Sequence, residues 1–219
     1  MNNHTTYNNS LLLGESVQIV ELRSLIKQVA PTDVTVLITG ESGVGKEVVA
    51  TEIHRLSKRS NKPFITVNCG AIPEGLIESE LFGYKKGAFT DARADRVGLF
   101  VAASGGTLFL DEVTEIPMTL QPKLLRALQE RTIRPVGGTA EVTFDVRIIA
   151  ATNAAMERKV AERQFREDLY YRLNVIQIAV PPLRERGTDV LLIANKLIEQ
   201  FASRSGKRIR SIAKPAAKL

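Results

Sequence analysis

The amino-acid sequence predicts an α/β fold in three layers, with a five-stranded parallel sheet between helices and the start of a small helical unit after it. Short apolar, β-branched runs alternate with stretches whose apolar residues recur every three or four positions, the pattern of strands alternating with helices. The runs are nearly continuous in hydrophobicity, as in strands buried on both faces of a parallel sheet. The five predicted strands are residues 34–39, 64–67, 107–110, 147–151 and 175–180.

The composition excludes several classes of protein. At 219 residues, with 44% hydrophobic and 25% charged residues, the chain matches ordinary globular proteins and is long enough to bury one core. The single cysteine, Cys69, cannot form an internal disulfide, and His4 and His54 leave no zinc-ligand spacing. No stretch approaches the ~18 apolar residues of a membrane span, and the amino terminus lacks the plan of a signal peptide. We expect a cytoplasmic protein with no metal cluster and no membrane contact.

The formal net charge of +6 comes from the carboxyl-terminal part of the chain. Residues 1–180 carry equal numbers of basic and acidic residues, whereas residues 181–219 carry nine basic and three acidic residues. A basic end of this size is usually a solvated helix end, and direct binding of nucleic acid is the alternative. The basic residues concerned include Arg204, Lys207, Arg208 and Arg210.

The first predicted helix follows a polar amino-terminal segment. Residues 1–10 offer too little apolar surface to offset the entropy of ordering, so a flexible end is predicted. A helix is predicted over residues 21–30, and Pro31 ends it before the first strand. Its apolar face consists of Leu22, Leu25, Ile26 and Val29.

A glycine-rich segment follows the first strand directly and opens the next helix. Its glycines permit a loop whose backbone N–H groups, with the positive end of the helix dipole, surround phosphate oxygens, and Lys46 adds a positive charge at the β- and γ-phosphates. Glu47 stands where such loops usually carry a serine or threonine that holds magnesium, so a metal would depend on other ligands and on water. The loop comprises Gly40, Glu41, Ser42, Gly43, Val44, Gly45, Lys46 and Glu47, and the next helix has Val48, Val49, Ile53 and Leu56 as its predicted apolar face.

Two acidic residues, Asp111 and Glu112, follow the third predicted strand, at the end of an α/β strand where ligands bind. Acids at a strand end can also form a simple solvated turn. Combined with the phosphate loop, they indicate metal and water chemistry. Asp111 would orient a water on Mg²⁺, and Glu112 would polarise the water that attacks a γ-phosphate.

After Pro181 the composition changes and a second part of the chain begins. A charged turn over residues 183–187 precedes a predicted amphipathic helix over residues 188–203, and one such helix cannot bury its own apolar stripe. We therefore expect an α/β domain over residues 11–182 and an incomplete helical unit over residues 183–219. The stripe consists of Val190, Leu191, Ile193, Leu197, Ile198 and Phe201.

Together these motifs resemble one family, the AAA+ domain of bacterial enhancer-binding proteins, the NtrC-like ATPases that activate RNA polymerase carrying sigma-54. The resemblance extends over about residues 13–206. It implies an AAA+ P-loop NTPase fold with a helical lid, ATP and Mg²⁺ as ligands, hydrolysis of ATP to ADP and phosphate, assembly into a ring, expected to be a hexamer, and sigma-54 as partner. Further matching segments are Glu78-Ser-Glu-Leu-Phe-Gly83, Lys86-Gly-Ala-Phe-Thr90, Ile149-Ala-Ala-Thr-Asn153, Phe165-Arg-Glu-Asp-Leu-Tyr-Tyr-Arg-Leu-Asn174 and Pro181-Pro-Leu-Arg-Glu-Arg186.

The resemblance implies roles for polar residues at two other strand ends. Asn68 matches the residue that holds the Glu112 side chain aside until the nucleotide state changes. Thr152 and Asn153 match the first sensor, beside the γ-phosphate. From the residues alone, an asparagine at a strand end is more often a cap or turn residue.

Two arginines, Arg166 and Arg172, match the arginine fingers of the family. Such fingers reach the γ-phosphate bound to a neighbouring subunit, where a guanidinium neutralises charge in the transition state. The alternative is an ion pair within the chain, to Glu167 or Asp168.

The loop with which the family contacts sigma-54 matches residues near 83–92, with one departure. The family pattern is Gly-Ala-Phe-Thr-Gly-Ala, and Asp91 replaces the second glycine here. Aspartate adopts a positive φ less readily than glycine and adds a negative charge to the loop tip. Packing of Phe89 into a local cluster is the alternative to contact with sigma-54. The implied contact residues are Gly87, Ala88, Phe89, Thr90, Asp91 and Ala92.

A second insertion, over residues 134–143, matches the family hairpin that moves with the first loop, and Gly137 and Gly138 would form its turn. The sequence ends before the family segment Gly-Asn-Val-Arg-Glu-Leu, whose arginine is the second sensor, and before any helix-turn-helix domain. It has no receiver domain ahead of Leu11. We therefore expect an incomplete lid, and DNA binding only through a domain outside this sequence.

Three other functions remain as hypotheses. A nucleotide-binding, oligomerising domain would turn over little ATP because the second sensor is missing. A monomeric P-loop enzyme, such as a small-molecule kinase, is disfavoured by the paired arginines and the Phe-Thr insertion. Direct DNA binding by the basic end would depend steeply on salt concentration.

Overall fold

The computed structural model describes residues 10–206 and residue 212. Of the end predicted as flexible, residues 1–10, all but Ser10 lie outside this part of the chain, as do the basic residues Lys207, Arg208 and Arg210; Ser10 is hydrogen-bonded to Glu52. Within the described part, no helix has the length and apolar character needed to cross a membrane.

Helices and strands alternate along the described chain. The helices are α1 Val17–Val29, α2 Lys46–Arg55, α3 Glu74–Phe82, α4 Leu99–Ala102, α5 Gln121–Glu130, α6 Met156–Ala161, α7 Glu167–Leu173 and α8 Asp189–Ser205. The strands are β1 Val36–Thr39, β2 Phe64–Asn68, β3 Gly83–Tyr84, β4 Arg96–Val97, β5 Thr107–Asp111, β6 Thr132–Ile133, β7 Val142–Thr143, β8 Arg147–Thr152 and β9 Ile176–Ala179.

Five of these strands form one parallel sheet in the order β2, β5, β8, β1, β9, which confirms the predicted sheet. In its register Thr39 lies opposite both Thr152 and Ala179, and Asn68 lies opposite Asp111. Because all five strands run in the same direction, the segments that follow them meet at one edge of the sheet. This carboxyl edge collects most of the predicted site residues.

Three strands extend one residue beyond their predicted ends. Asn68, Asp111 and Thr152 each close a strand with a polar side chain. Prediction from hydrophobicity stops before such residues, yet their backbone groups can still pair with the neighbouring strand. The polar residues are therefore fixed by the sheet and do not sit in free loops.

The core consists of two apolar clusters, one on each face of the sheet. Side chains of β1 alternate between them, because Leu37 packs into one cluster while Val36 and Ile38 pack into the other. The first cluster also takes in side chains of α3, α5 and α7, and the second those of α1 and α2. Representative members are Ile77, Leu124 and Leu169 in the first cluster and Ile26 and Ile53 in the second.

Helix α1 begins at Val17, before the predicted start at residue 21. Asp189, the first residue of α8, accepts hydrogen bonds from the backbone N–H of Glu15 at 2.6 Å and from the hydroxyl of Ser16 at 2.6 Å. The N–H and hydroxyl donors just ahead of α1 thus find their hydrogen-bond acceptor in a residue far away in sequence. No local pattern contains this contact.

One predicted core residue is exposed. Val49 and Ile53 of α2 are buried as predicted, but Val48 is 38% exposed. Val48 points away from the sheet, toward a pocket beside the glycine-rich loop. Helix α8 also leaves apolar surface open, since Val190 and Phe201 are 43% and 62% exposed.

Candidate functional site

The glycine-rich loop lies between β1 and α2 at the carboxyl edge of the sheet. Gly45 precedes the first turn of α2 with a φ of 99°, a left-handed conformation that glycine adopts without strain. The Lys46 side chain is buried, and its Nζ donates to the carbonyl oxygens of Gly40 at 2.9 Å and Glu41 at 3.0 Å. The ammonium group is thereby held inside the loop, next to the amino terminus of α2. This arrangement suits an anionic group such as a phosphate.

Asp111 and Glu112 lie at the end of β5, two strands from β1 in the sheet. Asp111 Oδ1 accepts the backbone N–H of Glu112 at 3.0 Å, which orients the carboxylate. Glu112 has φ 51° and ψ 47°. A left-handed conformation costs a residue with a side chain about 1–2 kcal/mol, and such strain is concentrated at functional sites.

The Glu112 carboxylate lies over Gly70, in the turn that follows β2. A Cβ atom at Gly70 would lie 2.6 Å from Glu112 Oε2 and 3.4 Å from Asn68 Oδ1. The side chains of Glu112 and Asn68 therefore occupy the space above residue 70, and any larger residue there would collide with the Glu112 carboxylate. Asn68 Oδ1 also accepts the backbone N–H of Ala71 at 3.0 Å, so Asn68 stabilises the turn, as the alternative interpretation of this residue requires.

Thr152 is fully buried at the end of β8, while Asn153 is exposed beyond it. The Thr152 hydroxyl lies 3.1 Å from that of Thr114 and accepts the backbone N–H of Ala154 at 3.0 Å. Thr114 belongs to the 3₁₀ turn directly after Glu112. The hydroxyl pair thus joins the end of β8 to the turn that carries the acid, a link that sequence reasoning missed.

The two arginines of α7 lie in contacts within the chain. Arg166 pairs with Asp168 through Nε at 3.0 Å and Nη2 at 2.7 Å, the intrachain ion pair considered as an alternative. The guanidinium of Arg166 holds the pKa of the Asp168 carboxyl below its usual value. Arg172 Nη2 donates to the carbonyl oxygen of Leu128 at 3.0 Å. Both side chains retain access to solvent.

An apolar pocket of about 260 Å³ opens beside the glycine-rich loop. The sequence analysis did not predict it, and the signal that the sequence holds is the run of three leucines before Gly14, since the outward position of Val48 is seen only in the structure. A flat apolar group attached to a phosphate chain would fit here, because phosphates held by the loop lie next to the opening. The pocket is lined by Leu11, Leu12, Leu13, Val44, Val48, Leu183, Arg186 and Ile193.

Two arginines join this pocket to the helical unit that begins at residue 183. Arg186 is buried and donates through Nη2 to the carbonyl oxygen of Val44 at 2.7 Å and to that of Pro181 at 2.7 Å. Burial lowers the pKa of Arg186 from its ordinary value. Arg184 forms an exposed two-bond ion pair with Glu41 of the loop. The glycine-rich loop and the start of the helical unit are thus tied together.

The predicted loop over residues 87–92 is compact. The Gly87 N–H donates to the Ala92 carbonyl at 2.8 Å, and the Ala92 N–H donates to Phe89 at 2.9 Å. Phe89 is 41% exposed and its ring lies 4.8 Å from that of Tyr84, so part of the ring packs locally. Among the described residues, the only ones with a side chain and a positive φ are Glu112, Arg131 and Arg163, so the expected backbone difficulty at Asp91 does not arise.

The second insertion forms a hairpin from β6 and β7 that contacts the first loop. The Lys85 N–H donates to the Val136 carbonyl at 3.0 Å, and the Val136 N–H donates to Gly83 at 2.9 Å. A Cβ atom at Gly137 would lie 2.8 Å from that of Ala88. The two insertions therefore form one connected unit, reached by α3 on one side and α5 on the other.

The family model described as the Sigma-54 interaction domain matches residues 12–179. The chain belongs to this family. The match contains the glycine-rich loop, Asp111, Glu112 and both insertions. With the five-stranded parallel sheet, it confirms the expected AAA+ P-loop NTPase fold.

Similarity to individual proteins supports this family assignment. The chain is 53% identical to the response regulator protein PilR of Pseudomonas aeruginosa over 208 residues, which are 95% of this chain and 45% of PilR. A crystal structure of NtrX from Brucella abortus superposes with a TM-score of 0.88 at 41% identity, over 95% of this chain and 47% of NtrX. A complex of NtrX with ATP gives 0.86 at 41% identity, over 93% of this chain and 44% of that one. The chain spans about half the length of these relatives.

Proposed function

We propose that this sigma-54 interaction domain binds ATP with Mg²⁺ and hydrolyses it to ADP and phosphate, in the cytoplasm, to remodel RNA polymerase carrying sigma-54. The observation that carries the proposal is the meeting of three parts at one edge of the sheet: the loop holding Lys46, the pair Asp111 and Glu112, and the apolar pocket beside Val48. That NtrX binds ATP and ADP supports the choice of nucleotide.

In this proposal the loop binds the phosphates and the pocket takes the adenine. The backbone of residues 40–47, with the Lys46 ammonium, stabilises the negative charge of the phosphate chain. Asp111 suits Mg²⁺ because its carboxylate is a hard oxygen ligand oriented by the Glu112 N–H, and it would hold the metal through water. When bound, Mg²⁺ supplies positive charge beside the β- and γ-phosphates.

Glu112 acts as the general base on the attacking water. Its strained backbone places the carboxylate over Gly70, next to Asn68. Asn68 acts as the switch that retains the carboxylate there, and Thr152 and Asn153 sense the γ-phosphate. The hydroxyl contact between Thr152 and Thr114 would pass a shift of the sensor to the turn that follows Glu112.

Catalysis also requires a second subunit. Arg166 and Arg172 act in trans on the γ-phosphate of a neighbour in a ring, a hexamer in this proposal. Because Arg166 lies in an exposed pair with Asp168, the pair must open for this step. An exposed ion pair is worth only about 0–1 kcal/mol, so opening it costs little.

The sigma-54 contact is assigned to the loop of residues 87–92. Phe89 and Thr90 form its exposed tip, and Asp91 adds a negative charge that the partner surface must accept. The backbone bonds of Val136 to Lys85 and to Gly83 let the hairpin move this loop when the nucleotide state changes.

ATP turnover per subunit, measured over a range of protein concentrations, tests the proposal. Specific activity that rises with concentration and vanishes in Glu112→Ala is expected, because subunits complete the sites of their neighbours. Binding of ATP without turnover above the Glu112→Ala level would contradict hydrolysis by this chain. A mixture of the Arg172→Ala and Glu112→Ala variants tests whether the arginine acts on a neighbouring subunit. ATP turnover recovers in the mixture only if Arg172 of one subunit completes the site that contains Glu112 of another.

A further inference from the structure

Residues 10–16 form a strap that runs from Glu52 of α2 to Asp189 of α8, and three leucines of the strap line the apolar pocket that takes the adenine base in the proposed function, the base pocket. The strap comprises Ser10, Leu11, Leu12, Leu13, Gly14, Glu15 and Ser16. Leu12 is buried in the core cluster that also contains Val49 and Ile53, whereas Leu11 is 48% exposed, so apolar packing fixes the strap at Leu12 only. The two ends of the strap depend on other contacts.

Glu52 of α2 holds the first end of the strap. Its side chain is buried, with a residue exposure of 2%, and Oε1 accepts the Ser10 hydroxyl at 2.9 Å while Oε2 accepts the Leu11 N–H at 3.4 Å. Arg55 neutralises the carboxylate through two bonds of 2.8 and 2.9 Å. A buried carboxylate of this kind is kept charged by its partners, so the strap gains charge-assisted bonds.

Asp189 holds the second end of the strap. This carboxylate is also 2% exposed, and it accepts the Glu15 N–H, the Ser16 N–H and the Ser16 hydroxyl. Gly14 has a φ of 140°, and a Cβ atom there would collide with the Asp189 carboxylate. The Gly14 carbonyl in turn accepts Nη2 of Arg23. This end of the strap is fitted closely to the first residue of α8.

We infer that Glu52 and Asp189 are positioning residues that fix the strap as one wall of the base pocket, and so set the preference of the site for a nucleotide over a bare polyphosphate. The inference rests on the proposed function, because it takes the pocket to hold the adenine of ATP. Neither carboxylate is among the residues that line the pocket. Both act through the leucines between them.

The inference separates two parts of the binding site. Phosphate binding depends on the loop and Lys46, whereas base binding depends on the strap. Since Asp189 begins α8, a displacement of that helix would pull on the strap and open the base side of the site while leaving the phosphate side in place.

The test compares the affinities of ATP and inorganic tripolyphosphate by titration calorimetry. In Asp189→Ala and Glu52→Ala, we expect the Kd for ATP to rise about tenfold or more, because several charge-assisted bonds are lost, while the Kd for tripolyphosphate changes less than about twofold. Ser10→Ala and Ser16→Ala remove one hydroxyl each and should shift ATP binding in the same direction by a smaller factor. Retained tripolyphosphate binding shows that each variant is folded.

Asp33→Ala is the matched control, since it removes an exposed carboxylate that also pairs with an arginine, Arg59, far from the pocket. Its two affinities should equal those of the natural sequence. Equal ATP affinity in all variants would overturn the inference and leave the proposed function intact, as would equal weakening of both ligands. Failure of the natural sequence to bind ATP would overturn the proposed function, and the inference with it.

Discussion

At the scale of single residues, Glu112 is held in a conformation that its side chain disfavours. Its φ of 51° follows from the tight exit of β5 into a 3₁₀ turn, in which the Glu115 N–H bonds to the Glu112 carbonyl at 2.9 Å. The strain is retained at the one position where the proposed chemistry needs a base.

Glu112→Gln keeps the size of the side chain and removes its basicity. ATP turnover should fall about 100-fold or more, the usual contribution of a general base, with ATP affinity unchanged. Steady-state turnover and equilibrium binding check the two statements. Glu115→Gln, in the same turn, is the control, and an equal loss there would contradict the assignment of the base.

Cys69 should be chemically inert in the native protein. Burial, with the nearby charges of Asp111 and Glu112, raises the pKa of its thiol to about 12. At pH 8 almost no thiolate forms, and the thiolate is the species that reacts with iodoacetamide. Mass spectrometry should find no adduct on the native chain and one on the urea-unfolded chain. Modification of both at one rate would show that the thiol is accessible.

His54 makes stability depend on pH. Burial lowers the pKa of its imidazole, which the Arg147 charge also lowers, while a hydrogen bond to the backbone of Lys62 opposes the shift. The unfolded chain therefore binds a proton more readily than the folded one, and stability should fall as pH decreases below about 6.5. Urea unfolding at pH 7.5 and 5.5 measures this, and His54→Gln should show a smaller loss over the same interval.

At the scale of elements, the loop and the hairpin are joined by two backbone hydrogen bonds, from the Lys85 N–H to the Val136 carbonyl and from the Val136 N–H to the Gly83 carbonyl. Val136→Pro removes one of the donors, so amide exchange in residues 85–92 should become faster. Hydrogen exchange with mass detection checks this. Ala140→Pro, in the same hairpin, is the control, and equal acceleration by both changes would mean that the bond to Gly83 does not matter.

The sequence predicts the elements better than their ends and contacts. The β-branched runs and the glycine-rich segment were enough to predict the five strands and the loop between β1 and α2, because both depend on local periodicity and backbone freedom. The start of α1 was missed because Asp189 satisfies it from a distant helix. Val48 was placed in the core because a helix pattern cannot show that a strap of leucines lies on its other side.

At the scale of the molecule, a group of stabilising arginine contacts and the residues of the candidate site lie at opposite edges of the sheet. At the amino edge Arg59 pairs with Asp33 and Asp145 at 2.9 Å each, and Arg147 donates to the carbonyl oxygens of Val29 and Ala30. The site lies at the other edge, where the strands end. Substitutions at the amino edge should therefore leave the affinity for nucleotide unchanged.

Arg59→Ala tests this division. Loss of two ion pairs by a side chain that is 15% exposed should lower the free energy of unfolding by about 1–2 kcal/mol. The affinity for ATP should stay unchanged. Urea denaturation and calorimetry measure the two quantities, and weaker ATP binding in the folded variant would show that the edges are coupled.

In the sheet β1 lies between β8 and β9, so the glycine-rich loop that follows β1 is flanked by the ends of two other strands. β8 ends in Thr152 and leads toward α7 and its arginines, whereas β9 leads through Pro181 to the helical unit that closes on the pocket. In the proposed function, the first route would respond to the γ-phosphate through Thr152, and the second would respond to occupation of the pocket. In the proposed ring, a subunit would therefore respond differently to an empty site and to a site whose ATP has been hydrolysed.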